Sequence, residues 1–211
     1  LFAGNTGFGK SVAAMRMAYE IARTWGMRVV VLDFGFSWRM LLNTPGLEGR
    51  VDIQQFRPDG VRPLRWNPMQ IGRYINPETQ LRAFADLFGV IGQLGQKQQQ
   101  HRLLDAARTI YVHAGVLVDD PEVRSDKRWG KVGNEEALDL GIPVGATLGS
   151  LSVDDRQRLT VYRSSRVGLV DLYEEIARLH DAMPSRDLVG RNVLDGILWR
   201  LKVLVNGGAA A

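Results

Sequence analysis

Cysteine and long apolar runs are both absent from this sequence of 211 residues. Without cysteine the chain can form neither a disulfide nor a thiolate metal site, which is compatible with a reducing compartment. No apolar run approaches the ~18 residues that a membrane helix needs, and no signal peptide is visible. We therefore expect a cytoplasmic chain without a membrane segment.

Lysine is scarce, with five lysines against 22 arginines, and the net charge is +4. A basic balance favours polyanionic partners. However, a bias towards arginine can also come from genomic base composition, and the arginines form no block, so the charge is weak evidence for nucleic acid. The histidines His101, His113 and His180 lack the spacing of metal ligands, and we expect them on helix surfaces.

The clearest positive signal is a complete G-x-x-x-x-G-K-[ST] phosphate-binding loop at 4–11. Its glycines let backbone N–H groups converge on a phosphate. Lys10 can reach the β- and γ-phosphates, and the Ser11 hydroxyl can bind Mg²⁺. A helix starting near Lys10 would direct its positive end at the same anion. The alternative is a chance glycine-rich turn. We predict that ATP and Mg²⁺ bind to Gly4, Asn5, Thr6, Gly7, Phe8, Gly9, Lys10, Ser11 and Val12.

Apolar and β-branched runs predict four strands, at 1–3, 27–33, 51–56 and 63–66. The run at 27–33 is typical of a strand buried in a parallel sheet. With the loop and the helix after it, these runs indicate an α/β P-loop core with a parallel sheet. Because a strand of three residues is too short and the chain lacks an initial Met, we expect a fragment whose first strand is cut.

Helical periodicity dominates from Asn76 onward. Asn76 followed by Pro77 predicts a helix start, and a glycine/glutamine hinge at 92–100 separates this helix from a second one near 103–114. The segment 121–143 looks irregular, and two further helices are expected near 169–179 and 194–204. We therefore divide the chain into a P-loop α/β core segment (1–75), a mainly helical insertion (76–166) and helices that lead back to the core (167–211).

Three carboxylate-containing segments could be mistaken for catalytic elements. Asp33 ends the predicted strand, where it could contact a metal-bound water or simply start a turn, and both alternatives stay open. Asp171 follows an apolar run but is interpreted as a residue in the first turn of a helix. The segment 151–158 has the outline of a transporter ATPase signature, but we interpret Ser152 as a helix cap and Asp155 as the third helical residue.

The loop at 4–11, the run at 29–33, the element Asn67-Pro68-Met69 and the helical stretch 77–115 together resemble the HerA/FtsK superfamily of ATP-driven motors. Its members include HerA-like helicases and translocases and the ATPases of conjugative type IV secretion systems. In that group an Asn-Pro-Leu-like element precedes a helical insertion, and Met69 departs from the usual Leu. The resemblance implies a RecA-like ASCE core whose acidic pair, sensor and arginine finger lie outside this chain.

The resemblance also implies that the chain stops before the acidic pair, so that the fragment is truncated at both ends. It further implies a hexameric ring that hydrolyses ATP between subunits and moves DNA, or a secretion substrate, through a central pore, with double-stranded DNA as the expected partner. Lys10 is the catalytic residue that it carries over, with Ser11 as the Mg²⁺ ligand and Gly7 and Gly9 shaping the loop. One alternative is a secretion or conjugation coupling ATPase that does not act on DNA. The other is a small-molecule P-loop kinase.

Overall fold

A computed structural model describes residues 9–33, 37–55, 62, 66–92, 94 and 97–205. These residues form eight α-helices and two 3₁₀ helices. The α-helices are α1 (Lys10–Thr24), α2 (Pro77–Ile91), α3 (Lys97–His113), α4 (Pro121–Ser125), α5 (Asn134–Leu140), α6 (Val153–Ser164), α7 (Leu169–Ala182) and α8 (Leu188–Leu204), and the 3₁₀ helices are Ser37–Asn43 and Leu148–Ser150.

The predicted α/β fold with a parallel sheet is wrong, because the described residues contain no β-strand. The segment 27–33 lies outside regular structure, and its apolar side chains are exposed, with Val30 80% and Leu32 73% accessible. A β-branched run becomes a buried strand only where neighbours pair with its backbone and cover its side chains. The segment 51–54 is likewise irregular. The predicted strands at 1–3 and 63–65 lie outside the described residues.

The chain consists of two compact units, Leu1–Pro63 and Leu64–Ala211. In the first unit, α1 packs against the 3₁₀ helix Ser37–Asn43. Two side-chain bonds tie α1 to the segment after that helix: the Tyr19 hydroxyl donates to the Pro45 carbonyl at 3.1 Å, and Arg50 donates to the Ala22 carbonyl at 3.1 Å. The helix from Lys10, predicted from the sequence, is confirmed.

The second unit is a helical assembly centred on α3. This helix packs against α2, α7 and α8, while α7 packs along α8 and α5 packs against α6. The apolar faces of these helices form one core, because removing such side chains from water is the main stabilising contribution to folding. Large helical side chains that are almost completely buried in it include Leu81, Leu103, Tyr111, Leu159, Leu172, Ile176, Leu194, Ile197 and Leu201.

The helix starts of this unit follow from local sequence. The Asn76 side chain accepts a hydrogen bond from the Glu78 N–H at 2.8 Å, and Pro77 is the first helical residue, so the predicted start of α2 is confirmed. The helices predicted near 103–114, 169–179 and 194–204 are confirmed as α3, α7 and α8. The irregular segment predicted at 121–143 is partly wrong, since it contains α4 and α5.

The element Asn67-Pro68-Met69 is anchored in the core of the second unit. The Asn67 side chain donates to the Val167 carbonyl at 2.5 Å and accepts from the Met69 N–H at 3.0 Å. Met69 is fully buried, and its carbonyl accepts a hydrogen bond from the Tyr111 hydroxyl, whose pKa is raised by burial. The contacts with Val167 and Tyr111 span 100 and 42 positions of the sequence, and they fix the chain just before α2.

Among the described helices, none combines the length and apolar character needed to cross a membrane. The division of the chain at 75 and 166 stays a prediction.

Candidate functional site

The second half of the predicted phosphate-binding loop is the start of α1. Gly9 precedes the helix and Lys10 is its first residue; the Gly9 carbonyl accepts the first intrahelical bond, from the Ala13 N–H at 2.9 Å. Gly9 has φ +73°, in the left-handed region, which costs other residues about 1–2 kcal/mol. A Cβ at this position would meet no atom within 4 Å. The backbone conformation, rather than a lack of space, therefore favours glycine here.

The charge distribution at this helix start suits an anion. Gly9 provides no side-chain cap, and the first turn of α1 contains no acidic residue. Lys10 is half-buried there, while Ser11 and Val12 are exposed. The N-terminal end of a helix carries a partial positive charge and N–H groups without intrahelical partners, and both favour a bound phosphate. Lysine and serine in that first turn add a cation and a metal-binding hydroxyl.

The first half of the loop, Gly4, Asn5, Thr6, Gly7 and Phe8, lies outside the described residues. Its role in cradling phosphates stays a prediction, as do the roles of Lys10 and Ser11 towards ATP and Mg²⁺. The structure brings Gly9, Lys10, Ser11 and Val12 together as one helix start.

Asp33 has a structural partner. Its carboxylate accepts a hydrogen bond from the backbone N–H of Trp38, at 3.1 Å, in the 3₁₀ helix Ser37–Asn43. This contact agrees with the alternative in which Asp33 starts a turn, since aspartate commonly caps such segments through a backbone N–H. Contact between Asp33 and a metal-bound water stays a prediction.

The other two carboxylate segments are helix caps, as the sequence indicated. Asp171 lies in the first turn of α7 and accepts the Gly168 N–H at 2.8 Å. The Ser152 hydroxyl accepts the Asp155 N–H at 3.1 Å at the start of α6, where Asp155 is the third helical residue. Both interpretations are confirmed.

Comparison with protein-family models, curated proteins and solved structures finds no match for this chain. The resemblance to the HerA/FtsK superfamily is therefore a hypothesis that depends on the residues alone.

Sequence reasoning missed a buried charged cluster around Arg163 of α6. Its guanidinium donates to both carboxylate oxygens of Glu136, at 2.7 and 3.1 Å, and to the carbonyls of Gly115 and Trp129, at 2.9 and 3.1 Å. The guanidinium carbon also lies 4.9 Å from the centre of the Trp129 ring. Because all three guanidinium nitrogens have protein acceptors, the cluster has a structural role. The sequence contains one signal of this cluster: Arg163 follows Leu159 by four positions, or about one helical turn, so the arginine lies on the buried face of α6.

A second missed feature is a cavity of about 480 Å³ between the start of α2 and α6. All five of its charged side chains form ion pairs: Arg108 pairs with Glu78 and Asp120, and Arg156 pairs with Asp119 at 3.0 Å. With three carboxylates and two arginines, the lining has no excess of positive charge that would attract an anion.

Proposed function

We propose that this chain binds ATP with Mg²⁺ at the start of α1, as the ATP-binding part of a ring-forming, ATP-driven DNA translocase or helicase-like motor. The observation that carries the proposal is that the motif at 4–11 leads directly into α1, with Gly9 in the left-handed region before Lys10. This is the order of glycine, lysine and helix start that phosphate binding requires.

Within the site, Lys10 has the electrostatic role. Its ammonium group would bring a full positive charge to the β- and γ-phosphates, where the helix end contributes only partial charges. Hydrogen bonds to charged groups contribute about 1.5–3 kcal/mol each, so losing Lys10 should weaken ATP binding by roughly tenfold or more.

The first test is a titration of a fluorescent ATP analogue into the wild type, Lys10→Ala and Arg16→Ala. Arg16 is an exposed cation further along α1 and serves as the matched control. We expect weaker binding for Lys10→Ala alone. Equal affinities of the three proteins for the ATP analogue would contradict the proposed site.

The motor part of the proposal has its own test, a steady-state ATPase assay of the full-length parent protein with and without duplex DNA. The present chain, which lacks the acidic pair and the arginine finger, should show almost no turnover in either condition. A motor that acts on DNA should hydrolyse ATP faster when DNA is present, because DNA orders the subunit interfaces at which ATP is cleaved. A rate of ATP hydrolysis that does not change when DNA is added would favour the secretion or conjugation coupling ATPase. Transfer of phosphate to a small acceptor would favour the kinase.

A further inference from the structure

A cleft of about 550 Å³ lies beside the end of α4, distant in sequence from the start of α1. Residues 124–127 line one part of it, and residues 130–131 and 147–149 line the rest. We call this region the basic cleft.

The lining of the basic cleft is held by backbone contacts. Lys131 forms an antiparallel bridge with Thr147, and the Leu148 N–H donates to the Gly130 carbonyl at 3.3 Å. The Asp126 carboxylate accepts the N–H groups of Arg128 and Trp129, at 2.6 and 2.7 Å. The side chains of Lys127 and Lys131 therefore project from a backbone that hydrogen bonds hold in place.

The cleft carries an excess of positive charge. Lys127 and Lys131 are exposed, and neither forms an ion pair within the part of the chain that the structure describes. They are two of the five lysines of the chain. Arg124 also lines the cleft but is paired with Asp119 at 2.6 Å. Among the described residues of the lining, Asp126 is the one carboxylate; its Oδ1 accepts both backbone N–H groups and it keeps its negative charge, so with Arg124 and the two lysines the lining has a net charge of +2.

Arg128 adds a further positive charge next to the cleft. Its guanidinium carbon lies 4.5 Å from the centre of the Trp129 ring. The ring is fixed by a hydrogen bond from its Nε1 to the His113 carbonyl, at 2.7 Å. Stacking on a fixed ring reduces the freedom that the arginine side chain would lose on binding a partner.

The chemistry of the lining fits a sugar-phosphate backbone better than a protein surface. Its two lysines are common ligands of nucleic-acid phosphates, whereas the Ser125 and Thr147 hydroxyls already donate to the Glu122 carbonyl and to the Ser150 hydroxyl, each at 3.1 Å. Among the described residues of the lining, Leu148 is the one large apolar side chain, and it is 1% exposed. Protein interfaces usually depend on aromatic or apolar anchors in pockets, which this lining lacks.

We propose that the basic cleft binds the phosphates of a nucleic acid, through Lys127 and Lys131, without reading the base sequence. This inference deepens the proposed function and rests on it for any link between nucleic-acid binding and ATP turnover. The binding of the nucleic acid itself depends on the basic cleft alone.

The test is the anisotropy of a fluorescently labelled DNA duplex titrated with the chain, without ATP, at several salt concentrations. The variant Lys127→Gln/Lys131→Gln removes the two cations of the cleft. The matched control Lys97→Gln/Lys202→Gln removes the same net charge from exposed lysines elsewhere. The variant Lys127→Arg/Lys131→Arg keeps the charge, and circular dichroism checks that each protein is folded.

We expect the cleft variant to bind the duplex roughly tenfold more weakly at low salt, with the slope of log K against log salt less steep by about 2. The control and the arginine variant should bind nearly as the wild type does. Equal binding by the cleft variant and the control would overturn the proposal, as would displacement of the duplex by polyglutamate as readily as by unlabelled DNA.

Failure of this proposal can be told apart from failure of the proposed function. A chain that binds the ATP analogue through Lys10 but binds no duplex at low salt would contradict the basic cleft alone. A chain that binds the duplex through Lys127 and Lys131 but shows no loss of ATP binding in Lys10→Ala would contradict the nucleotide site alone.

Discussion

Arg163 and Glu136 form a two-point ion pair inside the second unit, with Nε and Nη2 of the arginine 2.7 and 3.1 Å from the two carboxylate oxygens. The residues are 2% and 6% exposed. Such a pair need not add net stability, because removing two charges from water is costly. It does, however, make each partner dependent on the other, since a lone buried charge is far more unfavourable than the pair.

Replacing one partner should therefore be severely destabilising. We expect Arg163→Met to lower the free energy of unfolding by about 3–5 kcal/mol, because it leaves the buried carboxylate of Glu136 unpaired. Urea unfolding followed by circular dichroism measures the loss. The control is Arg166→Ala, which breaks an exposed pair with Glu135 and should cost about 1 kcal/mol or less.

The double variant Glu136→Gln/Arg163→Met completes a thermodynamic cycle. Because neither buried charge remains, it should lose less stability than the sum of the two single variants. Simple additivity of the two losses would show that the side chains do not interact.

The same pair predicts sensitivity to acid. Burial raises the pKa of Glu136, but hydrogen bonds from Arg163 and the Gly133 N–H outweigh it and hold the pKa below its ordinary value. A pKa lowered by folding contributes stability that is fully present above the unfolded value, about 4.3, and is lost as the pH falls through the folded value. Stability should thus decline below about pH 4.3.

Urea midpoints measured from neutral pH down to about pH 3 test this, with Glu136→Gln as the comparison. The variant lacks the titrating carboxyl, so its deficit relative to the wild type should be largest at neutral pH and should shrink in acid. A deficit that stays constant over this range would exclude Glu136 as a source of the acid sensitivity.

The long helices of this chain could be predicted from the sequence because their signals are local. In α2 the cap, the proline and the apolar face with Leu81, Phe84 and Phe88 lie within a few turns of one another. The same holds for α7 and α8. Ile91 is an exception, since it continues the apolar spacing of α2 but is 56% exposed at the end of the helix.

The strands were mispredicted because strand formation depends on partners that a local run does not specify. The β-branched run at 29–31 has the composition of a buried strand, but the described residues provide no neighbouring strand for it. The cluster around Arg163 was missed for a related reason. Its partners, Glu136 and Gly115, lie 27 and 48 positions away and become neighbours only after folding.

Gly130 should not tolerate a side chain. A Cβ there would lie 2.5 Å from the Arg124 carbonyl oxygen and 2.6 Å from that of Asp126, both of which are backbone atoms. We expect Gly130→Ala to destabilise the chain by about 1–3 kcal/mol, because the backbone that lines the basic cleft must shift. Gly149→Ala is the control, since a Cβ at that position meets no atom within 4 Å. Equal urea midpoints for the two variants would contradict the packing at Gly130.

Ser11 should act through Mg²⁺ rather than through the shape of the site. It is an exposed residue in the first turn of α1, so Ser11→Ala removes a hydroxyl without opening a cavity, and helix stability should change little. Serine at this position of the motif binds Mg²⁺, which in turn contacts the β- and γ-phosphates. The variant should therefore bind the fluorescent ATP analogue more weakly than the wild type when Mg²⁺ is present.

In EDTA the two proteins should bind the analogue alike, because the metal that the hydroxyl would hold is absent. Titrations with Mg²⁺ and with EDTA, on wild type, Ser11→Ala and Ser11→Thr, separate the possibilities. Threonine keeps the hydroxyl and should retain the response to Mg²⁺. If Ser11→Ala responds to Mg²⁺ as strongly as the wild type does, the metal is held by other groups and Ser11 is not its ligand.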